Sequence, residues 1–584
     1  MNDADLSSLL PLAVVAPIVG AVAAPLLARW SGRAALAVSL LALGCASGVL
    51  VLVAPTVLGG TVLVEEVGGW RPVGGSQLGV TFAADALGLV FALLCAVVGG
   101  LLLLFTFSDL ADLGRRETGG YACLFQLLLA ALIGSALTAD LLNLFVWFEV
   151  AALASYGLTG FFLERPYAVE AAFKIMVLTN MAAFYVFVAV ALVYAGQGAL
   201  NFGQVRAAMP HALGSADLVA LALVVAGFGT KAGLVPFHGW LADAHTAAPG
   251  PVSALFSGLM VNLGLLGLLR VVFDLYDARP GAVLVLLGVL GSLAAIGGAA
   301  LALVQDDLKR LLAYDTVSQM GVLVIALSVA SDESLTGLVY HLVDHALFKS
   351  LLFLCAGAIV HATGMTKLSE MGGLARHRRV LTIAFVVGAL SIAGVPPLNG
   401  YVSLGLIHES TEHGHLALFV VLTLAQVLTV AALARATYLA FFRRRDDDYD
   451  RFERPRVGMV VAFLSLSAGC VAFGVAPTWV LDHVAGPAAA SLTESGAYAA
   501  ATLRGHGTLT AVHVPFPYLD PVRLLVSGGT VVVGLLLAWW AVRHEGRSAR
   551  ALRPLVALHT GSVNDYAAFA VLGAVVAVVV LAAT

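Results

Sequence analysis

Charged side chains are scarce in this chain of 584 residues: they make up 11% of it, against 60% hydrophobic residues and a mean hydropathy of +0.97. Soluble globular domains carry about a quarter charged residues, so the scarcity excludes a water-soluble fold and places the chain in a bilayer. Cysteine is equally thin. Cys45, Cys95, Cys123, Cys355 and Cys470 all lie inside apolar stretches with no paired spacing, which excludes a disulfide framework, a zinc site and an iron-sulfur site. No Gly-rich loop stands in a strand-turn-helix context and no Walker sequence is present. The expected cofactor and metal content is therefore none, and any redox or ATP chemistry belongs to other chains. A net charge of -4 leaves no basis for nucleic-acid binding.

Apolar runs fill the space instead. Sixteen stretches, each on the order of the 20 residues that cross a bilayer as a helix, fall near 7-28, 34-57, 84-107, 119-138, 140-161, 169-195, 217-235, 251-273, 281-304, 310-330, 335-360, 380-407, 415-442, 457-477, 523-543 and 563-582. The implied fold class is an all-α polytopic membrane protein. Lys and Arg test the count, because they gather in cytoplasmic loops. Arg29 and Arg33 follow span 1, Arg115 and Arg116 span 3, Arg165 span 5, Lys309 and Arg310 span 9, and Lys367, Arg376, Arg378 and Arg379 span 11. Six arginines between Arg443 and Arg456 follow span 13, and Arg543, Arg547, Arg550 and Arg553 follow span 15. The intervening gaps hold only Arg71, Arg206, Arg279, Arg504 and Arg523. The alternation places both termini outside a prokaryotic plasma membrane, in keeping with the acidic start Met1-Asn2-Asp3-Ala4-Asp5. No basic segment precedes span 1, which reads as a retained helix and not as a cleaved signal.

Five basic residues remain, Lys174, Lys231, Arg270, Lys349 and Arg435, and all fall within spans, as does Glu149. A charge near the bilayer centre costs roughly 2.5-3.5 kcal/mol even on lenient insertion scales, so such residues mark ion pathways unless they reach the interface. Arg270 and Arg435 lie near span ends, where long side chains snorkel to water. Glu149 and Lys231 have less scope for that and are the stronger pathway candidates.

Lys231 is followed by Ala232-Gly-Leu-Val-Pro236-Phe-His238-Gly239-Trp240, whose proline and glycines interrupt the helix and free backbone groups inside the protein. A broken helix beside a buried cation is a transporter signature. The same punctuation returns as Ser391-Ile-Ala-Gly394-Val-Pro396-Pro397-Leu-Asn399-Gly400-Tyr401. Aligning Pro236-Phe-His-Gly-Trp240 on Pro397-Leu-Asn-Gly-Tyr401 puts the breaks, in helices 7 and 12, five spans apart, and an odd offset reverses helix direction. The expected organisation is residues 1-115 (helices 1-3 with an exported hairpin around Trp70), an inverted pair of five-helix units at 116-275 and 276-445, and 446-584 (helix 14, an exported loop over 478-522 and two terminal helices).

Between the breaks, span 11 carries His341-Leu-Val-Asp344-His345-Ala-Leu-Phe-Lys349, and spacings of four place His341, His345 and Lys349 on one helical stripe. Histidine titrates near neutrality and a desolvated lysine loses its proton readily, so the stripe suits proton transfer. Zinc binding by the two histidines, and histidines that merely hydrogen-bond in the core, are the competing readings; zinc would need a third ligand that one sequence does not supply.

The strings Asp140-Leu-Leu-Asn-Leu-Phe-Val-Trp-Phe-Glu149-Val-Ala-Ala-Leu-Ala-Ser-Tyr156, Thr230-Lys231 through Asp243-Ala-His245 to Ser253, Asp307-Leu-Lys309-Arg through Tyr314 and Ser318-Gln319-Met-Gly321, and His345-Ala-Leu-Phe-Lys349 resemble the proton-conducting antiporter-like family. It comprises the large membrane subunits of Mrp-type sodium/proton antiporters, of respiratory complex I and of energy-converting membrane hydrogenases. The likeness covers roughly residues 60-445, and the first string most resembles the D-type component of Mrp antiporters. It implies a fourteen-helix core with two inverted five-helix units and a polar axis along the membrane. Glu149 and Lys231 would be the ion pair that gates proton movement, Lys174 the span 6 lysine, and His341, His345 and Lys349 the continuation of the axis, with Lys309 a further member. Leu558-His-Thr-Gly561-Ser-Val-Asn-Asp565-Tyr566 resembles the end of longer complex I and hydrogenase members and accounts for the two helices beyond fourteen.

Two positions depart from the pattern. Asn262 stands where relatives usually have a lysine in span 8, and Leu404 where an ionisable residue usually follows the second break. His408 and Glu409, about one turn on, are expected to replace the latter, and an asparagine with water still carries a proton by hydrogen-bond exchange. The resemblance implies a subunit of an Mrp-type cation/proton antiporter, working with small and large hydrophobic subunits on protons and a monovalent cation, first of all sodium. A proton pump in a redox complex, enzymatic through its other chains, and a scaffold that lost conduction with Asn262 and Leu404 are the alternatives. The tract Arg443-Arg-Arg-Asp446-Asp-Asp-Tyr-Asp450-Arg451 reads as a solvated loop that sets orientation.

Overall fold

A computed structural model describes residues 3-70, 77, 79-109, 113-412, 414-445, 455-544 and 550-583. Met1 and Asn2, Arg71, the acidic part of the 443-451 tract with Arg451 and Arg454, and Arg547 lie outside the described residues. Among those described, fifteen helices are long and apolar enough to cross a membrane. They are α1 (Asp3–Ala28), α2 (Gly32–Leu58), α3 (Ala86–Asp109), α4 (Arg115–Leu137), α5 (Leu141–Thr159), α6 (Pro166–Gln197), α7 (Ser215–Ala232), α8 (Gly250–Leu275), α9 (Gly281–Val304), α10 (Leu308–Val329) and α11 (Asp332–Thr363). A shorter apolar helix, α12 (Arg379–Ile392), precedes α13 (Leu416–Phe442), α14 (Val457–Val475), α15 (Pro521–Arg543) and α16 (Val563–Ala582). The sixteen spans read from hydropathy are these fifteen and α12, which continues after a break as Asn399–Glu412.

Local signals start these helices. Asp140 and Asp307 accept the backbone N–H groups of Asn143 and Arg310 at 2.7 and 2.9 Å, capping α5 and α10, and Ser331 with Ser334 forms the capping box of α11. The most buried span is α8, enclosed along its whole length. Glycine lets it sit there: a Cβ on Gly258 would meet Ser350 of α11, and one on Gly264 would meet Ala232 and Phe228 of α7. Close approach of small residues is the usual basis of helix association where lipid competes equally for apolar surface.

The two breaks share a backbone pattern. Gly233 and Gly394 adopt φ of 74° and 69°, a region open to glycine without strain. Gly233 N–H donates to Thr230 O and Gly394 N–H to Ser391 O at 3.1 and 3.0 Å; Leu234 N–H reaches Gly229 O and Val395 N–H reaches Leu390 O; Phe237 N–H reaches Leu234 O and Leu398 N–H reaches Val395 O. The chain then resumes as the short helix Leu241–Ala247 in one case and Asn399–Glu412 in the other.

At one end of the bundle, β1 (Thr61–Glu66) and β2 (Thr81–Ala84) form an antiparallel hairpin with Leu63 opposite Ala84, and β3 (His506–Thr508) pairs with the other edge of β1. The hairpin around Trp70 follows the sequence reading, while the 478-522 loop does not. That segment contains helices at Pro477–Val480, Gly486–Thr493 and Ser495–Arg504 besides β3. Its alanines are strong helix formers, and Tyr498 and Ala499 are buried against the bundle.

Arg270 and Arg435 do not snorkel. Arg270 is 1% exposed and grips Asp85 with both terminal nitrogens at 2.8 and 2.5 Å, with Asp274 at 3.2 Å and the Tyr498 ring 4.4 Å away. Carboxylates, Asp85 among them from a distant segment, supply the partners that a position near a span end is expected to find in water. Arg435 is buried too and donates to Gln305 O at 2.8 Å.

Candidate functional site

A line of buried ionisable groups runs through the middle of the bundle. In the first half, the last turn of α7 carries Lys231, which is fully buried with no hydrogen-bond partner for Nζ among the described residues. Nζ lies 5.0 Å above the Phe148 ring, a cation–π contact that compensates only part of the desolvation. Glu149, next along α5 and half-buried, acts on it electrostatically, but no contact ion pair joins them. Trp240 Nε1–H donates to Thr230 O at 2.8 Å and clamps the break just beyond the lysine.

Lys174 of α6 bonds Asp243 at 2.9 Å and Glu170 at 2.7 Å, and Arg310 of α10 approaches the other oxygen of Asp243 at 3.5 Å. Asp243 sits on the short helix after the first break. Two residues on, His245 is fully buried, stacked on Phe353 at 4.8 Å, with neither ring nitrogen hydrogen-bonded among the described residues. Lys309 donates to Ala248 O at 2.7 Å, and Ser253, which bonds His245 O at 2.8 Å, lies 3.4 Å from the same ammonium.

The centre is uncharged. Asn262 of α8 donates to Gly258 O at 2.9 Å and leaves its Oδ1 buried without a partner among the described residues, while Ser257 and Thr316 exchange a hydrogen bond of 2.7 Å between α8 and α10. Beyond it, Lys349 of α11 pairs with Asp315 of α10 at 2.5 Å, both fully buried, and Thr429 of α13 donates to the same carboxylate at 3.2 Å. His345 again leaves both ring nitrogens unpartnered, whereas His341 is held by Ser403 and Gln319, each at 2.9 Å. Both His341 nitrogens are engaged in hydrogen bonds, and among the described residues no three His, Cys, Asp or Glu side chains are grouped to hold a metal. Asp344, buried beside them, accepts from Asn399 at 2.8 Å at the start of the helix after the second break.

His408 and Glu409 line a cavity of about 250 Å3 that opens beside that break, together with Gln426, Asp520 and Arg523. His408 Nδ1–H donates to Leu404 O at 2.8 Å, and exposed Glu409 pairs with Arg523 of α15. The structure thus brings Glu149 near Lys231, aligns His341, His345 and Lys349, and gathers His408 and Glu409 at an opening, while Lys174 and Lys309 lie around the short helix after the first break. Four buried carboxylates and imidazoles escape a sequence reading centred on cations: Asp243, His245, Asp315 and Asp344. Each lies inside one of the motif strings, and a carboxylate within a span is as costly as a lysine, so the same criterion applied to acids finds Asp315 and Asp344, while Asp243 and His245 lie between spans 7 and 8.

The break that covers Lys231 is itself covered by the C-terminal segment: a Cβ on Gly573 of α16 would meet Pro236 and Phe237, and His238 Nε2 lies 2.7 Å from His559 Nε2. At the second break, Ser527 of α15 donates to Gly394 O at 2.8 Å. The two terminal helices therefore pack on this chain's own core, one at each break.

Comparison with known proteins agrees with this architecture. The family described as NADH:quinone oxidoreductase/Mrp antiporter, transmembrane region, matches residues 138-429. The N-type component of the NADH-quinone oxidoreductase of Desulforudis audaxviator is 33% identical over 81% of this chain and 97% of its own length. The D-type component of the Na(+)/H(+) antiporter of Alkalihalophilus pseudofirmus is 32% identical over 59% of this chain and 68% of its own. A chain of the Mrp complex from Dietzia sp. DQ12-45-1b superposes with a TM-score of 0.76 at 26% identity, covering 85% of this chain and 99% of that one. The chain belongs to the NADH:quinone oxidoreductase/Mrp antiporter membrane-subunit family.

Proposed function

We propose that this chain is a proton- and cation-translocating subunit of a multisubunit membrane complex, of the D-type kind in an Mrp-type sodium/proton antiporter. The observation that carries the reading is the buried Lys231, unpartnered among the described residues and within electrostatic range of Glu149 but not in contact with it. A buried ammonium without a salt bridge is costly in a bilayer, and closing or widening its distance to a carboxylate changes its hold on a proton. From Lys231 the line continues through His245, Asn262, Lys349, His345 and His341 towards the opening at His408 and Glu409. The unpartnered atoms of His245, Asn262 and His345 are buried polar groups of the kind that ordered water satisfies, and water is the medium a proton path needs between side chains.

The matched backbone bonds at the two breaks support an inverted pairing of residues 116-275 with 276-445. Lys and Arg between the spans support a cytoplasmic face at the end carrying Arg443, which holds Leu368 O and Ser369 O. The second reading is the proton-pumping arm of a redox complex, favoured by the likeness to a quinone oxidoreductase component along 97% of that protein.

Purification of the native complex through a tag on this chain separates the two. Hydrophobic partners without iron or flavin, and proton flux in vesicles that depends on added sodium, are the expected outcome. Iron-sulfur or flavin partners with electron-driven flux would replace antiport by redox pumping. Wild-type flux in all axis variants would refute both and leave a scaffold.

A further inference from the structure

An open groove of about 1080 Å3 lies between α9, α13 and the C-terminal segment. Its walls are apolar, with Leu284, Val285 and Ile296 from α9, Leu418 and Val421 from α13, and Phe569 from α16. Val285, Val289 and Leu293 follow one another at a spacing of four, so they share one face of α9, and each is more than half exposed. Gly281 and Leu301 border the groove as well. At about 1.5 Å per residue they stand about 30 Å apart along α9, which is about the thickness of a bilayer's hydrocarbon core. The groove therefore runs the depth of the membrane, and Val235 and Pro236 of the first break form part of its wall.

The polar side chains along that wall already have partners. Ser292 and Ser328 donate to Gly288 O and Ile325 O of their own helices, each at 2.7 Å. His238 and His559 bond each other, and the Tyr566 hydroxyl accepts from Gly561 N–H at 3.2 Å. His415 stands apart at one end, exposed just before α13. A surface of this kind matches an acyl chain, which asks for no hydrogen bonds, and gives a polar head little to hold. Charge gathers at the other end. The link from α15 to α16 reads Glu545-Gly-Arg547-Ser-Ala-Arg550-Ala-Leu-Arg553, three arginines against one acid. Arg553 is exposed and opens the short helix Arg553–Ala557, whose Leu555 lies on the groove wall. The planar guanidinium fork fits a phosphate, and basic clusters beside membrane helices recognise anionic headgroups.

We propose that this groove binds an anionic phospholipid of the surrounding bilayer, with its phosphate at Arg553 and an acyl chain laid along α9 against Pro236. The neighbouring flank of the break is already covered by protein, since a Cβ on Gly573 of α16 would meet Pro236 and Phe237. The acyl chain packs the side that α16 and α13 leave open, so the lipid completes the cover of the first break. Opposite charge selects the headgroup, and the depth of the groove selects the chain.

The test is native mass spectrometry of the assembled complex in mild detergent, incubated with equal amounts of phosphatidylglycerol and phosphatidylcholine, for the parent, Arg553→Glu, Arg553→Lys and Val289→Trp. Arg553 and Val289 are exposed, so all three variants are expected to keep the parental subunit content. The parent is expected to retain phosphatidylglycerol over phosphatidylcholine, and Arg553→Glu to lose that preference about fivefold or more, while Arg553→Lys keeps it. Val289→Trp fills the groove and is expected to lower the number of retained lipids of either kind. Parental lipid number in Val289→Trp overturns the site, and parental preference in Arg553→Glu overturns the anionic headgroup. A neighbouring subunit cross-linked through Val289→Cys would put protein where the lipid is proposed and overturn it as well.

Discussion

The two broken helices share backbone geometry but differ in how their lysines are held. Near the first, Lys231 is buried with no contact partner among the described residues and a carboxylate at a distance. Near the second, Lys349 is locked to Asp315 at 2.5 Å, with Thr429 on the same carboxylate. One half holds an open pair and the other a closed one; on the proposed translocating reading the breaks stay fixed and the distance between lysine and carboxylate is the quantity that changes.

Stability should separate these lysines most strongly. Lys349→Ala leaves Asp315 as an uncompensated buried charge and is expected to cost about 3-5 kcal/mol, read as a lower Tm of the purified complex. Adding Asp315→Leu should recover most of it. Lys231→Ala removes a cation that has no contact partner to orphan, so its Tm should equal or exceed the parent's. Equal losses for both single variants would break the distinction between an open and a closed pair.

The exit of the second half comes next. His408→Ala with Glu409→Gln is expected to lower proton flux about tenfold or more without loss of assembly, because both side chains line the opening beside the second break. Parental flux in both single variants and in the double variant would remove these residues from the path and return the role of Leu404 to an unfilled position.

Legibility in the sequence follows the range of each interaction. Fifteen spans and the interrupted twelfth follow from apolar runs and Pro/Gly punctuation, which are local, and the arginine alternation counts them independently. Glu149, Lys231, His341, His345 and Lys349 stand out because an ionisable residue within twenty apolar ones carries its own signal. Their partners do not. Asp85 meets Arg270 across 185 residues of chain, and Asp315 meets Lys349 from the neighbouring helix, so a position near a span end predicts a snorkel where the fold supplies an acid. The Ala-rich 478-522 segment reads as a loop because its helices are too short to register as spans, although alanine favours them. The cap of α15 and α16 over the two breaks is a tertiary fact with no trace in local pattern.

The smallest effects concern those caps. Ser527→Ala removes a hydrogen bond to Gly394 O at the second break, and His559→Gln keeps the one at the first; the former should cost about 0.5-1.5 kcal/mol and the latter less, measured by thermal unfolding. A larger loss for His559→Gln would mean that the first break depends on its cap more than the second does.

The proposed function places the gate of proton movement at Lys231, through its separation from Glu149. The direct measurement is sodium-dependent proton flux in vesicles reconstituted with the complex carrying Lys231→Ala, with subunit content checked on the same preparation. A gate at this lysine requires a fully assembled complex whose flux has fallen by about a hundredfold or more; a fully assembled complex with parental flux would show that the gate lies elsewhere.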